Sequence, residues 1–308
     1  MFRYVVKRII MLVPIIIGVS FLVFFIMSLT PGDPVKMKLG MEASEEAIKA
    51  LRSEMGLDDP VFIQYVRYMG KVIKGDMGRS YTTNRLVFKE IMARYPATFR
   101  LTFFSILVAV LISIPVGITS ATKQYSLIDS ISMLAALLGA SVPNFWFGLM
   151  LILLFALNWR LLPSGGANTW HSIILPSITL GTTAAAIITR MTRSSMLEVI
   201  RQDYIRMARA KGVREKVVIR KHALKNALIP VVTVVGLQFG TLLGGAVLTE
   251  TVFSWPGIGR LMVEAIRAKD TPMVLGCIII FAITFSIINL LIDILYAYID
   301  PRIKSQYS

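Results

Sequence analysis

The sequence is poor in the side chains that carry chemistry. Its 308 residues include one cysteine, Cys277, and two histidines, His171 and His222. A closed structural zinc site takes four Cys or His ligands, so none can be built here. A lone cysteine also excludes an intramolecular disulfide, and Cys277 lies in an apolar run where a small thiol packs. His-Glu-x-x-His, Gly-x-Ser-x-Gly and Gly-x-x-x-x-Gly-Lys-Ser/Thr are all missing. Metalloprotease, serine hydrolase and P-loop ATPase chemistry are therefore without their residues. Each histidine reads as a surface or interfacial residue. Acidic groups are scarce too, with 18 Asp and Glu against 33 Lys and Arg, a formal net charge of +15.

What the chain has instead is long apolar runs, in a composition that is 55% hydrophobic. Six runs carry no charge: residues 9–32, 101–122, 130–159, 161–189 (with neutral His171), 226–249 and 271–292. A helix of about 20 such residues crosses the hydrocarbon of a bilayer. The expected class is all-α and transmembrane, with six spans. The first run exceeds a signal-peptide core and no small-residue cleavage motif follows, so it reads as a retained span. Basic residues flank these spans, so lipid phosphate or a cytosolic partner explains the charge better than nucleic acid.

Six spans place both termini on one side. Arg3, Lys7, Arg8, Lys123, Arg302 and Lys304 mark that side as cytoplasmic, together with eleven basic residues against three acids in 190–225. The opposite connections hold Arg160 alone, or Arg260, Arg267 and Lys269 offset by Glu250, Glu264 and Asp270. The long polar stretch 31–97 is then an external subdomain. It opens on the turn PGDPV, and EASEEAIKALRSEM predicts a helix with Ser44 as its cap. VFIQYVRY, 61–68, fits a strand or an amphipathic helix equally. The predicted division is residues 1–30 (amino terminus and first span), 31–97 (external), 98–300 (five spans, with a cytoplasmic loop at 190–226) and a cytoplasmic tail, 301–308.

Polar and helix-breaking residues at membrane depth face protein or a cavity. The third run is too long for one straight span, and Pro143-Asn144 falls at its middle. Asn144 either closes a structural kink or lines a path. Gly236, Gly240 and Gly244 form a smooth stripe for close helix packing or for the wall of a pore, with Gln238 and Glu250 nearby. Asn289 and Asp293 share a face of the last span, which predicts a structural hydrogen bond or ion pair. Ionisable residues are absent from all six runs.

The densest basic segment is QDYIRMARAKGVREKVVIRKHALKNALIP, 202–230. Asp203 to Lys211 predicts a short helix ended by Gly212, and a second helix from 213 to about 226 leads into the fifth span. Such a helix–glycine–helix is either a docking element, with Tyr204, Ile205 and Ala208 entering a groove, or an amphipathic segment on anionic lipid.

QDYIRMARAKG…KHALKNALIP resembles the cytoplasmic Glu-Ala-Ala loop of binding-protein-dependent ABC importer permeases of the peptide and nickel class. GLDDPVFIQYVRYMGKVIKGDMGRS, SVPNFW, HSIILPSITLG, RMTRSSMLEVIRQDYIRMARAKG, VFSWPGIGRL and DPRI are similar to that class as well, so the likeness spans the chain. Arg206 stands about where the glutamate of the general loop falls, and Gly212 lies farther from Pro230 than is usual.

The resemblance implies a type I importer permease with no cofactor of its own. Its partners would be a second, homologous permease, two subunits that bind ATP and Mg, and an external substrate-binding protein. Asp203, Tyr204, Ile205, Ala208, Ala210, Lys211 and Gly212 would couple to the ATPase, and Asn144, Gln238, Gly240 and Gly244 would line the path. The cargo would be short peptides, or nickel as a chelate, across a bacterial or archaeal inner membrane. A stand-alone channel or secondary transporter is the reading outside the class; it would want ionisable residues deep in the spans.

Overall fold

A computed structural model describes residues 2–30, 34–40 and 43–299. The start of the PGDPV turn, the DPRI motif and the tail with Arg302 and Lys304 lie outside them, as do the side chains of Arg3, Lys7 and Arg8. In chain order the helices are α1 (Phe2–Leu29), α2 (Pro34–Leu39), α3 (Glu45–Glu54), α4 (Val61–Ile73) and α5 (Val87–Thr122). Next come α6 (Leu127–Ser141), α7 (Asn144–Leu151), α8 (Ile174–Ile200) and α9 (Asp203–Ala210). The last are α10 (Glu215–Val217), α11 (Leu224–Val252), α12 (Ile258–Arg267) and α13 (Thr271–Ile299). The described residues contain no strand, only an isolated Arg79–Leu86 bridge. Five helical stretches are long and apolar enough to cross a membrane, and α6 with α7 makes a sixth if that bent pair is one span.

Contacts divide the chain into two units, 2–98 with 256–286, and 99–255 with 287 onward. In the first unit, α1 carries no charge from Ile9 to Leu29, and α3 starts as the sequence predicts. Ser44 Oγ accepts from Ala47 N at 3.3 Å, and Glu45 and Glu46 occupy the positive end of the helix. The ambiguous 61–68 stretch is helix, continuing to Ile73. Gln64 Nε2 donates to the Leu57 and Asp59 carbonyls at its start, and Tyr65 turns inward to donate to Ile17 O of α1 at 2.9 Å. α5 begins at Val87, inside the stretch 31–97 that the sequence reading set apart. Lys89, Glu90 and Arg94 keep its early turns polar while Val87 and Ile91 enter a core with Ile258, Leu261, Met273 and Cys277.

Asp270 organises the same unit. It is buried, and its carboxylate accepts from Ser80 Oγ, from Tyr81 N and Thr82 Oγ1 at 3.0 Å, and from Met273 N in the first turn of α13. The loop 78–84 is thereby fastened to a helix start. Burial, with the Asp270 charge beside it, pushes the Tyr81 phenol up to about 12, so it remains a neutral hydroxyl at physiological pH.

In the second unit α8 is central, with 67% of its span window buried. Its small residues explain this. Gly117 of α5 and Gly181, Ala184, Ala185 and Ala186 of α8 let neighbouring helices close in. The predicted fourth run, 161–189, is displaced along the chain. Pro163 and Gly165-Gly166 hold 161–169 out of helix, a single 3-10 turn follows at Trp170–Ile173, and α8 then runs on through Arg190 and Arg193 to Ile200. Gly165 sits on Phe253, whose carbonyl accepts from Gly166 N at 2.8 Å.

The axis turns by 102° between α6 and α7, where the sequence placed Pro143. After α7 the helix widens into a π-helical stretch, Ile152–Asn158. Within α13 the Asn289 Oδ1 is buried without a hydrogen-bond partner among the described residues.

Gly181 yields the first prediction. A Cβ there would stand 2.7 Å from the Ser105 carbonyl oxygen, a backbone atom that cannot rotate away. Gly181→Val should cost roughly 1–3 kcal/mol by overpacking. The expected readout is a lowered steady-state amount of the chain in membranes, measured by quantitative immunoblot; wild-type abundance would refute the close-approach argument.

Candidate coupling and translocation site

The basic segment forms two helices around a glycine. Gln202 is extended, Asp203 starts α9 at its positive end, and Lys211 closes it. Gly212 then takes φ +77°, its N–H donating to Arg209 O at 2.9 Å while Val213 N donates to Ala208 O at 3.3 Å. This paired closure is the Schellman arrangement, and the left-handed residue in it is the one for which glycine has no Cβ penalty. The second helix starts at Glu215, later than predicted. It passes through a π-helical stretch, Val218–Ala223, directly into α11.

Side-chain directions separate the predicted coupling residues. Ile205 is fully buried among Ala121, Met196, Val218, Ala223 and Ala227, with Ala208 packed against them. The buried Ile205 and the half-buried Ala208 root α9 in its own unit. Asp203, Tyr204, Ala210, Lys211 and Gly212 are exposed. Met207, which the sequence reading passed over, is exposed at 58%. The signal for it was available, since 204, 207 and 211 share a helical face once 205 and 208 are assigned inward.

The exposed face is held in shape. Asn226 Nδ2 donates to the Tyr204 hydroxyl at 2.7 Å. Arg209 grips Glu215 with two bonds, Nε at 3.0 Å and Nη2 at 2.7 Å, across the glycine turn. Arg206 lies only 3.7 Å from Asp203, with both side chains in the open. The outward charge is therefore that of Arg206, Lys211, Arg214 and Lys216.

The membrane candidates are not gathered in one place. Asn144 opens α7, and Thr183 of α8 donates its hydroxyl to Asn144 Oδ1. They border a pocket of about 180 Å3 with Leu138, Gly139, Val142, Phe147 and Thr182. Gln238, Gly240 and Gly244 of α11 are not part of it. Gly236 packs on Ile292 of α13, Gly240 is buried, and Gly244 faces open space. The stripe thus changes partner along its length.

A charge pair was also missed. Asp129 at the start of α6 is buried, and Arg193 of α8 meets it side-on through Nε and Nη2, each at 2.7 Å. Ser120 Oγ and Tyr125 N, at 3.0 Å, complete the carboxylate's partners. Both residues fall one to four positions outside the uncharged runs, so counting uncharged stretches hid them.

Comparison with known proteins places this geometry. Residues 113–305 match the family described as binding-protein-dependent transport system inner membrane component, and residues 1–102 match the amino-terminal family of such membrane components. The chain belongs to that family. It is 47% identical to the dipeptide transport system permease protein DppB of Alkalihalophilus pseudofirmus, over 99% of this chain and 100% of that protein. The glutathione transport system permease protein GsiC of Pectobacterium atrosepticum is 44% identical over 99% of both. Among solved structures, an inward-facing MetNI methionine ABC transporter matches with a TM-score of 0.59 at 20% identity, covering 68% of this chain and 96% of that one. That likeness extends to the fold. The chain is accordingly a multi-pass inner-membrane permease subunit that acts within an ABC transporter.

Glu215→Gln tests the brace on the exposed face. The pair is solvent-exposed, so the expected loss is about 0.2–1 kcal/mol. It should appear as faster amide hydrogen exchange in α9 with α8 unchanged. Unaltered exchange in α9 would mean that the bidentate pair contributes nothing to its order.

Proposed function

We propose that this permease forms the translocation path of an ABC importer for short peptides. The observation that carries the reading is the near full-length likeness to permeases named for dipeptide and glutathione transport, glutathione being itself a tripeptide. Nothing comparable favours nickel. ATP and Mg belong to two partner subunits, a second homologous permease completes the path, and an external binding protein delivers the peptide. This chain carries no cofactor. Both termini and α9 face the cytoplasm, as the Lys and Arg asymmetry of the short loops supports, and the stretch from the end of α1 to the start of α5 faces the binding protein.

In this arrangement α9 is the coupling element. Its outward residues, Asp203, Tyr204, Met207, Ala210 and Lys211, sit in a cleft of the ATPase, while Ile205 and Ala208 hand the displacement to α8 and α11 through their shared core. Gly212 sets the angle at which the helix is presented. Asn144, with Thr183, and the open face of α11 at Gly244 line the path, with Gln238 and Gly240 on the same helix.

Two measurements bear on this. Gly212→Val forces a β-branched residue to positive φ, a strain of roughly 1–2 kcal/mol. No atom lies within 4 Å of the added Cβ, so insertion should survive while labelled-peptide uptake falls to background. Normal uptake would remove coupling through this turn. Purification of the carboxyl-tagged chain in mild detergent, with mass spectrometry, should recover an ATPase, a sister permease and a binding protein carrying short peptides. A nickel complex on the binding protein would change the cargo, and recovery of the chain alone would return the channel reading.

A further inference from the structure

Asp129 is buried at the first turn of α6, and Arg193 of α8, with 23% of its side chain exposed, closes over it. A buried carboxylate is costly unless paired, and such a pair stabilises a fold no more than apolar side chains of the same volume would, so it points to a task beyond filling space. The Asp129–Arg193 pair is complete in its bonding. Arg193 donates to both carboxylate oxygens, Ser120 of α5 donates to one, and the backbone of Tyr125 in the α5–α6 turn donates to the other. Three successive segments are thereby fixed to one arginine on α8.

The position of that arginine is as informative as its bonds. One turn further along α8, Met196 lies in the core that buries Ile205 of α9. Ten residues in the other direction, about 15 Å along the axis, Thr183 of the same helix holds Asn144 at the start of α7. The 102° break lies between the two attachments, with α6 tied to α8 on one side and α7 on the other. A shift of α8 against α6 must therefore break the charge pair or alter the bend.

We propose that Asp129 and Arg193 are positioning residues that lock α6 to α8, so that displacement of α9 is delivered to the α6–α7 bend and to Asn144. The further bonds of the pair run to Ser120 and Tyr125 of the same chain. Its role rests on the importer reading given above. If the pair slackens, α8 slides along α6, and ATP is hydrolysed without the path changing shape.

The test uses the complete transporter in proteoliposomes, with labelled tri-alanine delivered by its binding protein, and reads ATP hydrolysed per peptide imported. Arg193→Gln strands the buried Asp129 and Asp129→Asn strands the partly buried Arg193, and both are expected to accumulate poorly. The double variant Asp129→Asn/Arg193→Gln leaves a neutral, hydrogen-bonding pair and is expected to assemble. In it the ratio of hydrolysis to import should rise by about tenfold. Arg193→Lys, which keeps the charge and loses the two-pronged grip, should give an intermediate ratio. An assembled double variant with the wild-type ratio would overturn the proposal, as would a parallel fall of hydrolysis and import, since either outcome reduces the pair to packing. Absence of ATP-dependent tri-alanine import by the wild-type complex would instead overturn the peptide importer reading.

Discussion

In the unit formed by 99–255 and 287 onward, the membrane helices depend on closure around α8. A bilayer offers no water to satisfy a backbone group, so a helix that bends or ends at membrane depth must be covered by a neighbour. α8 is that neighbour. Its glycine and alanine residues bring α5 to backbone contact at Ser105, its Thr183 covers the exposed start of α7, and its Arg193 covers the carboxylate at the start of α6. The hydroxyls on α8 cost little in this setting, because Thr179, Thr182 and Thr192 donate back to carbonyls four residues earlier. Polar residues can therefore be spread along a span without each needing a partner helix.

Hydrophobicity alone made the class, the number of spans and the break at Pro143 legible, because a bilayer imposes length and uncharged composition on any segment that crosses it. Local capping chemistry was equally readable. Ser44 and Gly212 each occupy the backbone geometry that their side chains favour, at the ends where they were expected. Periodicity failed where environment decides. VFIQYVRY could not be resolved because its apolar residues suit either period, and only burial of Tyr65 beneath α1 selects helix. The fourth span was misplaced for a related reason. Residues 161–169 are uncharged, yet Pro163 and two glycines deny them helix, whereas 190–200 are polar and helical because α8 continues beyond its apolar stretch.

The coupling segment was legible in outline and not in orientation. A charge count identified it and the glycine divided it, but the sequence could not say which face of a short helix points inward. The answer comes from packing. α9 is too short to be stable alone, so an apolar side chain has to anchor it, and Ile205 does so. Once Ile205 is committed to the core, helical geometry leaves Tyr204, Met207 and Lys211 outside. The residues that connect α9 to its own unit are thus different from those that stay exposed, and both sets lie within eight residues.

Spans free of ionisable groups do not suit a self-contained transporter, and Asp129–Arg193 is a charge pair at the edge of two of them. A proton- or ion-coupled transporter needs a charge whose state can change or whose partner can be exchanged at the midplane. Here the carboxylate is saturated by a guanidinium, a hydroxyl and a backbone N–H, and it lies at the first turn of its helix. A group so bonded has no vacancy for an ion. Its geometry suits the transmission of force between helices far better than the carriage of charge. α9 packs through Ile205 against Met196 of the same helix that bears Arg193, so the short helix and the charge pair share one rigid element.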